Sequence, residues 1–164
     1  MTNNDILRRI RYIFDLNDSK MISLFALADH QVTRGEVSDW LKKEDDKNFK
    51  KCPDITLAIF LNGFINDRRG KKEGAQIEPE QRLNNNIIFR KLRIALNYKD
   101  DDMLNVLSLA NLQISKHELS AFFRKPGHKH FRECKDQVLR HFLKGLQIKY
   151  RDGISANQSG FKWK

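Results

Sequence analysis

Residues Phe25–Lys43, FALADHQVTRGEVSDWLKK, return as Leu107–Lys125, LSLANLQISKHELSAFFRK, with apolar and small positions largely matched. The chain therefore reads as a tandem duplication. Working outward at the same offset, which sets Asn85 against Asn3, Thr2–Gly70 pairs with Asn84–Asp152 without an insertion. Matches run along the whole unit, among them Asn4/Asn86, Arg8/Arg90, Ala28/Ala110, Glu36/Glu118, Cys52/Cys134, Asp54/Asp136 and Gly63/Gly145. The boundaries that follow are a first unit at 1–70, a linker at 71–83, a second unit at 84–152 and a loose tail at 153–164, in which Phe161 and Trp163 are free to stack.

At roughly 70 residues, each unit alone lies where isolated domains are marginal, so the two are expected to share a hydrophobic interface. Hydrophobic residues at 40% and charged residues at 32% suit a soluble globular protein, and no apolar run is long enough to span a bilayer. The opening MTNNDILRRI passes directly into an amphipathic pattern, unlike a signal sequence, and the expected location is cytoplasmic. Two cysteines at equivalent positions are too few for a disulfide framework and are read as reduced thiols.

The net charge of +10 is unevenly placed. The first unit carries 12 basic and 11 acidic residues, the second 14 and 7, and four of the five histidines are in the second. Such asymmetry points to an anionic partner, nucleic acid first, with an acidic protein as the rival.

Four helices per unit account for the pattern. Asn3 or Asn4 is a candidate cap for the first, whose apolar set Ile6, Ile10, Ile13 and Phe14 has a helical period and recurs as Ile88, Leu92, Ala95 and Leu96. Asp18 or Ser19, and Asp100 to Asp102 in the copy, start the second. Thr33-x-x-Glu36 and Ser115-x-x-Glu118 have capping-box spacing and start the third. A polar loop follows, and Pro53 and Asp54 open the fourth, which buries Leu57, Phe60, Leu61 and Phe64. Gly63 and Gly145 sit inside that pattern and mark either a close helix contact or an early helix end. The fold class expected is all-α: two four-helix units, each with a helix-turn-helix-like segment, packed with a pseudo-two-fold relation.

The second and third helices of each unit resemble a helix-turn-helix. In a DNA-reading version Thr33, Arg34 and Ser38, or Ser115, Lys116, His117 and Ser120, would face base edges. Gln31 and Gln113 stand where such a turn has glycine, and plain core architecture explains the same pattern. The clearest basic cluster is Arg124, Lys125, His128, Lys129, His130 and Arg132 around Phe131, with Arg90, Lys91 and Arg93 placed near it. Clustered cations with an aromatic suit phosphate contact and base stacking; a solvated loop is the alternative. His128-x-His130 lacks further ligands at metal spacing, so neither metal nor cofactor is expected. Cys52 and Cys134 lie next to a helix start, where a thiol is either activated or simply buried. No nucleophile triad, phosphate-binding glycine loop or catalytic carboxylate pair is present, which makes an enzyme the least supported class.

The segments NNDILRRIRY, WLKKEDD, FLNGF and RRGKKEG, followed by LRIAL and ELSAFFRKPGHKHFRECKDQVLRHFLKGLQIKYR, resemble the YehS-like family of bacterial proteins of unknown function. The resemblance runs through Arg151 and implies a bacterial, cytoplasmic protein made of two copies of one small helical domain. It implies no activity, cofactor or catalytic residue. Together these readings give a non-enzymatic nucleic-acid-associated or regulatory binding module.

Overall fold

The computed structural model describes residues 1–152, and across them the chain is helical without a strand. The tail at 153–164, with Phe161 and Trp163, lies outside the described residues. The first repeat comprises α1 (Asn3–Ile13), α2 (Asp18–Leu27), α3 (Arg34–Leu41) and α4 (Asp54–Arg69). The second comprises α5 (Asn85–Leu96), α6 (Asp100–Leu109), α7 (Lys116–Ala121) and α8 (Asp136–Gln147). α8 runs on into a π-helical turn, Ile148–Asp152, where α4 stays α-helical to Arg69.

Local signals set most helix starts. Thr33 and Ser115 each accept from the backbone N–H of Glu36 or Glu118, whose carboxylates accept in return from the cap N–H, all at 3.0–3.1 Å. The first helix is capped by Thr2, ahead of both Asn3 and Asn4, and its copy by the equivalent Asn84. Asn4 and Asn86 are freed from capping and are buried instead. Two left-handed residues per repeat, Asp15 and Asn97 after the first helix and Asp29 and Asn111 after the second, turn the chain without glycine. Short Asx side chains tolerate that conformation. The left-handed position of the α2–α3 turn is thus Asp29, two residues before Gln31.

The fourth helix of each repeat is the central one. Its apolar face meets Met21, Leu24 and Phe25, or Met103, Val106 and Leu107, all buried. Gly63 faces the carbonyl of Leu24 and Gly145 that of Val106, so close that a Cβ would lie 2.6 Å from the Leu24 carbonyl carbon and 2.8 Å from a Val106 methyl. Both glycines are therefore contact points, and neither ends its helix.

The repeats join across reciprocal contacts. Asp54, in the first turn of α4, accepts from Asn3 Nδ2 at 2.7 Å and from the backbone N–H of Leu83 at 2.8 Å. Asp136, in the first turn of α8, accepts from Asn85 Nδ2 at 2.7 Å and from the α-amino group of Met1 at 2.7 Å. Leu83 occupies in the second repeat the place of Met1 in the first, so each repeat's leading residue reaches the other repeat's fourth helix. This is the pseudo-two-fold relation. The Leu83 N–H, then Asn3, hold Asp54 below its ordinary 3.8, and the α-amino group, then Asn85, do the same for Asp136. Both contacts stabilise the fold above that value and are lost as the pH falls through the depressed one.

Candidate nucleic-acid interface

Three backbone bridges and one buried asparagine build the basic loop. His128 N–H donates to the Lys125 carbonyl and Phe131 N–H to that of His128, both at 2.9 Å, while Arg132 N–H reaches back to the Ala121 carbonyl at 3.1 Å. Asn86, 3% exposed, donates from Nδ2 to the carbonyls of Phe122 and Arg132 and accepts from Cys134 N–H, at 3.0, 2.9 and 2.9 Å. The first repeat repeats this frame with Asn4, Trp40, Lys50 and Cys52. Only the cargo differs. Lys43, Lys47 and Lys50 correspond to Lys125, Lys129 and Arg132, but Glu44, Asp45 and Asp46 stand in the first loop where Pro126, Gly127 and His128 stand in the second. Between the framing residues Trp40 and Cys52 five cations stand with three acids, against four cations and one acid between Phe122 and Cys134, so the second loop carries one more net positive charge and far fewer acids.

Lys125, His128, Lys129, His130 and Arg132 are all exposed, and Arg124 is half-buried. Among the described residues Arg90, Arg124, Lys125 and Lys129 make no ion pair, and Arg132 reaches Glu118 only at 3.9 Å. Arg90 is exposed one turn beyond Asn86; its counterpart Arg8 pairs with Asp5, whose place is taken by Ile87. Lys116 lies 3.4 Å from Asp101, and His117 is exposed beside it. The rings of His117 and His128 are 6.4 and 5.5 Å from that of His130, and His130 N–H donates to His128 Nδ1 at 3.0 Å. Among the described residues no group of three His, Cys, Asp or Glu is placed to hold a metal ion.

Two residues read as part of this face are elsewhere. Lys91 is buried in the seam between repeats, its Nζ donating to Asn62 Oδ1 at 2.6 Å and standing 3.0 Å from Glu80. Arg93 is committed to holding α5 against α6: it pairs with Asp100 at 2.7 Å, donates to the Tyr98 carbonyl and stacks 4.7 Å over Phe123. A cation on a helix with an opposite basic face looks free until its partners arrive from another element. The helix-turn-helix-like segment is also a poor groove reader. Its connection, Ala28–Thr33, exceeds the three or four residues of a DNA-reading turn, and α7 has only six residues, with Ser115 used as a cap.

The thiols face inward. Burial, then Asp54, pushes Cys52 up to about 12; burial, then Asp136 and Glu133, does the same for Cys134. A neutral thiol is a poor nucleophile, so native protein at neutral pH is expected to resist a thiol-labelling reagent that reacts with both cysteines after unfolding. Each group ionises more readily once unfolded, so stability should fall as the pH rises from about 9 towards 12. Fast labelling of the folded chain would contradict this burial.

The family described as a protein of unknown function, DUF1456, matches residues 3–70 and again 85–152. The chain belongs to the DUF1456 family. It is 48% identical over 147 residues to the uncharacterized protein YehS of Escherichia coli (strain K12), covering 89% of this chain and 94% of that one. No solved structure matches. Each DUF1456 match contains one asparagine-framed loop, so the frame belongs to the repeat, whereas the charge on it differs between the copies. Asn86, which frames the loop, is the residue that periodicity missed; its pairing with Asn4 was the available signal.

Proposed function

We propose that the chain is a non-enzymatic cytoplasmic module that binds nucleic acid through the loop Lys125–Arg132 of its second repeat, with Arg90 and Arg124 beside it. The carrying observation is a set of exposed cations without close ion pairs on a fixed frame, where the first-repeat counterpart has three acids set among its lysines. Exposed cations on a preset backbone contact phosphates with little ordering cost.

The test is anisotropy of labelled duplex DNA, single-stranded DNA and RNA, titrated at several salt concentrations. Changing Lys125, Lys129 and Arg132 together to Glu is expected to weaken binding on the order of a hundredfold at low salt and to flatten the log–log salt dependence by about three. The thermal midpoint should not move. The same change at Lys43, Lys47 and Lys50 should alter affinity by no more than about threefold, because three acids already stand among those lysines. Equal losses from the two loops, or none from the second, would reject the assignment. An acidic protein retained after nuclease treatment would replace it with an adaptor role.

A further inference from the structure

Both repeats close their fourth helix with an arginine, Arg69 in one and Arg151 in the other, and the two meet different surroundings. Arg151 lies against the end of α1, with Nη1 2.9 Å from Asp15, a donated bond to the Tyr12 carbonyl at 3.3 Å, and its guanidinium 4.4 Å over the Tyr12 ring. Across the pseudo-two-fold, Ile94 takes the place of Tyr12 and Asn97 that of Asp15. Asp15 and Asn97 share one backbone shape, with φ of 53° and 56°. Acid and ring are both missing at the second place, and among the described residues Arg69 has no ion pair, hydrogen bond or ring beneath it.

Beside Arg69 is a chamber of about 430 Å³. That volume lies within the range of small-molecule sites. Ile59 and Ile65 of α4, Ile94 of α5 and Ile77 of the linker form apolar walls, and Arg69 and Lys72 stand at its edge. Ile77 and Ile94 remain 66% and 43% exposed, so the linker covers this surface without filling it. The chamber is not a general product of the repeat: His141 and Gln147 replace Ile59 and Ile65 in the second copy.

We infer that this chamber binds a small amphiphilic monocarboxylate. The carboxylate supplies to Arg69 what Asp15 supplies to Arg151, and a medium-length acyl chain lies against the four isoleucines. A charge-assisted bond to guanidinium fixes the head, and apolar burial supplies chain-length dependence. This site is independent of the basic loop, so either assignment can fail alone.

Calorimetric titration of the full chain with hexanoate, octanoate, decanoate and 1-octanol tests it. Octanoate should bind saturably at one site, each added methylene tightening binding about fourfold until the chamber is full. 1-Octanol should bind about tenfold or more weakly, lacking the charged head. Arg69→Gln should weaken octanoate severalfold, and Arg69→Gln together with Lys72→Gln should bring it to about the level of the alcohol. Arg151→Gln should leave octanoate binding unchanged. Equal binding of acid and alcohol, no binding by any chain length, or full affinity in Arg69→Gln would overturn the inference.

Discussion

Gly63→Ala is expected to destabilise the chain by about 3–5 kcal/mol, and Gly145→Ala similarly, measured as a shift in the chemical-denaturation midpoint. The added methyl meets the main chain of α2 or α6, at the Leu24 or Val106 carbonyl, and no rotamer change relieves such a contact. The two helices must separate, and separation loosens Leu24 and Phe25 from Phe60 and Phe64. Gly35→Ala is the control. It adds the same methyl in the first turn of α3, where the nearest atom, Thr33 Oγ1, is 3.8 Å away. Helix propensity should then make it neutral or stabilising by up to about 1 kcal/mol. If Gly63→Ala unfolds at the wild-type midpoint, the close helix approach described above is not real.

Asn86→Asp should be more damaging than Asn86→Ala, although it conserves shape. Alanine removes three hydrogen bonds, two of them buried, and leaves Phe122, Arg132 and Cys134 with backbone groups short of a partner, at a cost of about 3 kcal/mol. Aspartate keeps the acceptor for Cys134 N–H but turns an oxygen towards two carbonyls that need a donor. Its carboxyl must stay protonated in the folded state or ionise while buried, so its folded pKa lies above the unfolded one. The aspartate variant should therefore lose stability, relative to wild type, as the pH rises from about 4 to 7, whereas the alanine deficit stays flat. Nucleic-acid affinity should fall in both, since the loop loses its frame. Unchanged pH dependence in the aspartate variant would show that Asn86 does not hold the loop as its geometry indicates.

Much of the fold could be read from residue pattern because its signals are local and doubled. Thr33 with Glu36 and Ser115 with Glu118 announce the third helices in adjacent residues, and the common offset turned each weak periodicity into two matching ones. Gly63 and Gly145 stood out because a glycine costs stability in a helix unless something lies against it. The site was harder to read, for a physical reason. Lys91 and Arg93 have the spacing of surface cations, and only tertiary packing brings Asn62 and Glu80 to one and Asp100 and Phe123 to the other. Asn4, the counterpart of Asn86, resembled a cap because caps and buried clamps draw on the same side-chain chemistry. The frame beneath the basic loop was invisible because its contacts join α5 to a loop more than forty residues away in sequence, as the Asn86–Arg132 bond shows with its separation of 46.

The crossing of Met1 to Asp136 and of Leu83 to Asp54 carries a further meaning for assembly. Each half offers the same two elements, a leading residue and a fourth-helix start, and each element is consumed by its counterpart in the other half. Such an interface is isologous, the arrangement of a symmetric dimer, here with its subunits tethered by the linker. A stack that adds units end to end needs a donor face and a different acceptor face left vacant after every addition. In this chain both are spent on the first pairing, so neither is left for another unit to engage in the same way.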